Sequence, residues 1–175
     1  PLGNLIADLS YERAVKESAN RSIAAPNLCL LNFGGLRVNL PNGEIMVRKV
    51  FELMPFENEL VVIELTPDSL TSLVNYVGKV GGQPISHMKL GFDSNGPAET
   101  ILIEGKEIDS TRNYRVITTD YLANGGDHMH FFKNPVSRTE LGVKLRDAII
   151  EHFLEIGNAG ASLNPEIDGR LIIKE

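Results

Sequence analysis

The sequence predicts an α+β fold: a mixed β-sheet core packed with helices. Two observations carry this. Apolar residues recur at helical spacing in some stretches and as short β-rich runs in others, and glycine, proline and asparagine clusters separate the two kinds. The resulting order, αββ…βαββ…βαβ, is irregular enough to favour a mixed sheet over a strictly alternating parallel one. No internal repeat, linker or low-complexity segment interrupts residues 1–175, so the whole chain is read as one domain.

Leu2, Leu5, Ile6 and Leu9 fall at i, i+3, i+4 and i+7, which predicts an amphipathic helix ending near Asn20. Pro26-Asn27 breaks it, and residues 28–33 read as a buried strand. Gly34-Gly35 turns that strand into a second run at 36–40, followed by a turn at Pro41-Asn42-Gly43. Residues 45–53 fit a short helix or a strand equally. Pro55 removes a backbone donor and leaves Phe56 on a loop. Residues 60–65 form a central strand. Thr66 then has the chemistry of an N-cap with Pro67 at the first helical position; Leu70, Leu73, Val74 and Val77 make that helix's core stripe, and Gly81-Gly82 stops it.

Residues 85–92 alternate loosely into a hairpin signal at 93–96, and residues 100–103 return. Gly105 opens a turn before a strand at 114–119. Thr139 has the character of an N-cap for a helix whose face carries Leu141, Leu145, Ile149, His152, Phe153 and Ile156, with Gly157 closing it. A last strand is expected at 171–173.

At 175 residues the chain buries about two-thirds of its unfolded surface. A net charge of −6 argues against nucleic-acid binding, which needs basic clusters to neutralise phosphates. No apolar run approaches the ~20 residues of a membrane-spanning helix. The one cysteine, Cys29, lies in an apolar run and reads as a buried small hydrophobe. No leader precedes the first helix, which begins at once, so the chain is expected to be a portion of a longer product.

The stretch TTDYLANGGD, residues 118–127, carries the functional signal. Gly125 and Gly126 permit positive φ and close approach of a ligand to the main chain. Asp127 directly after them is able to accept hydrogen bonds from vicinal hydroxyls, and Tyr121 offers a flat face on which a base stacks. Taken alone, a Gly-Gly-Asp turn is more often a loop device.

Three further motifs stand beside it in order: LGNLIAD at 2–8, NFGGLR at 32–37 and PFEN at 55–58. Together with DYLANGGD the set resembles the C-terminal domain of the 5'-nucleotidases, including the UDP-sugar hydrolase type, over nearly the whole chain. The resemblance implies that Phe56 and Tyr121 sandwich a nucleobase, with Tyr121 standing where the family commonly has phenylalanine. It implies that Asp127 receives the ribose hydroxyls, that Asn32 and Asn58 read the base edge, and that Arg37 lies on the phosphate or ribose side. A second arginine that the family often carries would fall before Pro1, and Asn4 stands where some members have arginine, so a nucleoside is the expected ligand. His87 occupies a position where the family often shows glycine.

The same resemblance implies a division of labour. Two divalent metal ions hydrolyse the 5'-phosphate ester in a separate N-terminal metallophosphatase domain, whose Asp-x-His and Gly-Asn-His-Glu type motifs are absent from this sequence. This chain is therefore expected to hold no cofactor and no metal and to lack a catalytic residue of its own. The resemblance further implies as partners a nucleoside or nucleotide and a metallophosphatase domain or subunit, and a periplasmic or extracellular location. Two other readings stand beside this one. A non-catalytic interaction module would keep the fold and bury Phe56 and Tyr121 far apart. A self-sufficient hydrolase would need a metal held by His128 and His130, a His-x-His pair without further spaced ligands.

Overall fold

The computed structural model describes residues 1–93 and 98–174. The chain runs α1 (Leu2–Asn20), β1 (Leu28–Leu30), a 3-10 turn (Phe33–Gly35), α2 (Val47–Leu53), β2 (Glu59–Leu65) and α3 (Pro67–Lys79). Then come β3 (Ile85–Ser86), β4 (Met88–Phe92), β5 (Ala98–Ile103), β6 (Lys106–Glu107) and β7 (Tyr114–Thr119). After α4 (Asp120–Ala123) and two 3-10 turns (Gly126–His128 and His130–Phe132) follow β8 (Ser137–Lys144), α5 (Leu145–Asn158) and β9 (Leu171–Ile173).

Both sheets are mixed, as expected for the α+β class. The larger has the order β3-β1-β7-β2-β8 and the smaller β6-β5-β4-β9. In the larger sheet β1 and β7 are parallel, while β1–β3, β2–β7 and β2–β8 are antiparallel. In the smaller one only β4 and β9 run parallel among the described pairings.

Period-two alternation divides the core into two layers across the larger sheet. Leu28 and Leu30, Val61 and Ile63, and Tyr114 and Val116 pack with the α3 stripe Leu70, Leu73, Val74 and Val77 and with Leu90 of the smaller sheet. Cys29, Leu60, Val62 and Ile117 face the other way, onto Ile6 and Leu9 of α1, Val50 and Leu53 of α2, and Ile149 of α5. The larger sheet is thus covered on both sides. Cys29 is wholly buried, and burial pushes its thiol well above the usual range. At the start of α3 the Thr66 hydroxyl accepts the Ser69 N–H at 3.3 Å, and Pro67 is the first residue of the helix.

Four expectations need correction. Thr139 is no N-cap: it lies inside β8, paired with Val62, and α5 begins at Leu145. Leu141 and Leu145 are four apart, a spacing shared by a helix face and one face of a strand, so the periodicity did not separate the two. Residues 36–40 form no strand; Leu36, Val38 and Leu40 pack against the core while the chain lies along it. The buried strand ends at Leu30, short of residue 33. The run 85–92 is split at His87, whose backbone takes φ +58 and whose ring stacks on Tyr11 at 3.5 Å. Of the hairpin signal at 93–96, residues 94–96 lie outside the described residues, although the flanking β4 and β5 pair antiparallel. The undecided stretch 45–53 contains α2.

Leu73→Ala empties part of the layer between α3 and the larger sheet and should cost ~2–5 kcal/mol, read as a lowered urea midpoint. Ser72→Ala on the exposed side of the same helix should stay within about 0.5 kcal/mol.

Candidate functional site

Strand direction decides which loops meet. Because β1 and β7 are parallel and in register at Cys29 and Ile117, the residues that follow them, Asn32 and Tyr121, emerge at the same edge of the sheet. β2 runs antiparallel to β7, with Leu60 opposite Thr119, so the residues that precede it, Phe56 and Asn58, arrive at that edge too. There they surround a cavity of about 280 Å³. Asn32, Arg37, Phe56, Asn58, Tyr121 and Asp127 all line it, joined by Gly34 and Gly35 of the turn after β1.

Each loop is tied down by bonds that its own sequence supplies. The Thr119 hydroxyl accepts the Leu122 N–H and starts α4. Asp120 Oδ1 accepts the N–H of Tyr121 at 2.8 Å and that of Glu59 at 3.1 Å, which joins the loop after β7 to the start of β2. The Phe56 carbonyl accepts from the buried Arg146 at 3.2 Å. Arg146 also pairs with Glu57, which pairs in turn with Lys144. These two bonds, to Lys144 first and then Arg146, hold the Glu57 carboxyl down at about 2. The Arg37 guanidinium lies 6.0 Å from the Phe56 ring centre and donates to the Gly34 carbonyl at 3.2 Å.

Phe56 and Tyr121 are 40% and 46% exposed, so neither ring belongs to the core. The Asp127 carboxylate joins Tyr121 to Asn32, which precedes the turn after β1. Its Oδ2 accepts from Asn32 Nδ2 at 2.6 Å and its Oδ1 accepts from the Tyr121 hydroxyl at 2.9 Å. The bond to Asp127 raises the Tyr121 hydroxyl above its ordinary range. Asn32 is itself buried, and side chains on Gly34 or Gly35 would press within 3.2 Å and 3.1 Å of its amide atoms.

Gly125 and Gly126 serve the site from behind; neither lines the cavity. Gly125 takes φ +90. A Cβ on Gly126 would fall 2.5 Å from the Tyr121 ring, so its lack of a side chain is what lets that ring lie where it does. His128 and His130 are exposed outside the lining, with ring centres 6.0 Å apart. Among the described residues no three or more His, Cys, Asp or Glu side chains come together as a metal-holding group. Tyr76 of α3 was not foreseen: its hydroxyl donates to the Asp127 carbonyl at 2.8 Å. Nothing in its local sequence marks it, since it sits among the ordinary helical positions of α3.

The family described as 5'-nucleotidase, C-terminal domain, matches residues 1–134, and the chain belongs to it. It is 29% identical over 185 aligned residues to a trifunctional nucleotide phosphoesterase protein of Bacillus subtilis, covering 97% of this chain and 12% of that protein. It is 26% identical to the protein UshA of Escherichia coli over 71% of this chain and 25% of that protein. A solved 5'-nucleotidase precursor from Thermus thermophilus superposes with a TM-score of 0.78 at 27% identity, covering 98% of this chain and 35% of that one. The chain therefore corresponds to a minor part of each of these larger proteins.

Acid should loosen the Phe56 loop through Glu57. Its folded-state pKa is depressed from 4.5 to about 2, so its contribution is present above about 4.5 and lost as pH falls through about 2. The gap in urea midpoint between wild type and Glu57→Gln should accordingly shrink between about pH 5 and about pH 2.

Proposed function

We propose that the chain is the substrate-recognition part of a 5'-nucleotidase-type phosphohydrolase and binds the nucleoside portion of a 5'-nucleotide. The supporting observation is that two half-exposed aromatic rings from distant loops border the same cavity as a hydrogen-bonded carboxylate. The base lies between Phe56 and Tyr121. Asp127 takes the ribose hydroxyls, and Asn58 and the carbonyl oxygen of Asn32 read the base edge. Arg37 lies toward the ribose and phosphate, while Gly125 and Gly126 shape the loop that carries Asp127.

A cavity of about 280 Å³ lies just below the ~300–1,000 Å³ typical of ligand sites, in keeping with a nucleoside rather than a larger molecule. Binding here presents the 5'-phosphate to a separate metallophosphatase domain or subunit, whose two divalent ions supply the activated water. The contribution of this chain is positioning, paid through contacts remote from the reacting bond. The family resemblance favours a location in the periplasm or outside the cell. No described helix is long and apolar enough to cross a membrane.

Stacking on an aromatic contributes ~1–3 kcal/mol per base, so Phe56→Ala should raise the adenosine Kd about 5–150-fold in calorimetric titration. No binding at millimolar nucleoside, or a Phe56→Ala protein that binds like wild type, would overturn this reading and favour a module that keeps the fold for holding a protein partner.

A further inference from the structure

Asp127 adopts φ +50 and ψ +30, and His128 after it takes φ +62. Two consecutive non-glycine residues in the left-handed region are unfavourable and persist only where their surroundings hold them. Such strain concentrates at sites where a side chain must be aimed.

The support comes from outside the cavity. Tyr76 packs edge-on against Phe131, ring centres 5.6 Å apart, and gives its hydroxyl to the Asp127 carbonyl at 2.8 Å. Burial first, and then the charge of Asp127, raises the Tyr76 hydroxyl above its usual range. The next turn is anchored by Met129, wholly buried, whose N–H bonds the Gly126 carbonyl at 3.0 Å. From the cavity side, Asn32 and Tyr121 occupy one acceptor position on each carboxylate oxygen. A carboxylate offers about four such positions, so about one per oxygen remains. Two oxygens of a fixed carboxylate, each with one acceptor position left, match two neighbouring hydroxyls.

We propose that Tyr76 is a positioning residue: by fixing the left-handed Asp127 backbone it aims the carboxylate at the ribose hydroxyls. This rests on the nucleoside reading and adds to it a residue outside the cavity.

The test compares adenosine with 2',3'-dideoxyadenosine by calorimetry on wild type, Tyr76→Phe and Asp127→Asn. Wild type should bind adenosine at least about tenfold more tightly. Tyr76→Phe keeps the ring and its packing on Phe131; it should weaken adenosine about 5–30-fold, leave dideoxyadenosine nearly unchanged, and bring the ratio down toward that of Asp127→Asn. A thermal melt within a few degrees of wild type confirms that the fold survives. If both ligands weaken equally in Tyr76→Phe, or the ratio stays at the wild-type value, the role of Tyr76 is overturned while the nucleoside reading stands. If wild type binds both nucleosides equally, Asp127 receives no ribose hydroxyl and Tyr76 has nothing to aim, so this inference is overturned. If it binds neither, the nucleoside reading falls and this inference with it.

Discussion

The parallel pairing of β1 with β7 is the constraint on which the cavity depends. Had these two strands paired antiparallel, Asn32 and Tyr121 would leave the sheet at opposite ends, and Asp127 would have no amide within reach. Burial makes the pairing obligatory. β1 and β7 carry apolar residues on both faces, and a shift of one residue would turn Leu28 and Leu30 away from the α3 layer and Cys29 into it. Open α/β sheets commonly bind ligands outside the carboxyl ends of their strands, and this mixed sheet places its cavity in the same way.

Once the edge is set, polar bonds rather than packing aim the side chains. Asp120 ties the loop after β7 to the start of β2, and Arg146 reaches from α5 to hold the Phe56 carbonyl. Asp127 then collects three donors, two on its carboxylate and one on its carbonyl. The rings of Phe56 and Tyr121 are left about half exposed, as are Phe33 and Phe51; what sets the pair apart is that both line the cavity beside Asp127. The Tyr121 hydroxyl, which a phenylalanine would lack, is engaged by Asp127, so the ring and the carboxylate are fixed relative to one another.

How much of this was legible in the sequence follows from how local each signal is. α1, β2, α3 and β7 are announced by strong periodicity and, for α3, by the Thr66-Pro67 start, and they lie where expected. The boundary between β8 and α5 was missed because the Leu141–Leu145 spacing serves either element, and only the pairing of β8 with β2 decides between them. Residues 36–40 alternate as a strand does, yet no neighbouring strand accepts them. At the site, the six polar and aromatic residues were reached through ordered motifs, and the sheet brings all six to one cavity. Gly125 and Gly126 were expected to meet a ligand; the space they leave is used by the Lys133 side chain and by the Tyr121 ring respectively. Tyr76 left no trace, since a helical tyrosine acquires its partner only through tertiary contact.

The most direct measurement is an NMR experiment on the chain saturated with adenosine, looking for contacts between the base protons and aromatic ring protons. Contacts from the same bound base to both the Phe56 and the Tyr121 rings are the predicted result. A bound base that contacts neither ring, with its shift changes clustered away from this edge of the sheet, would contradict the account.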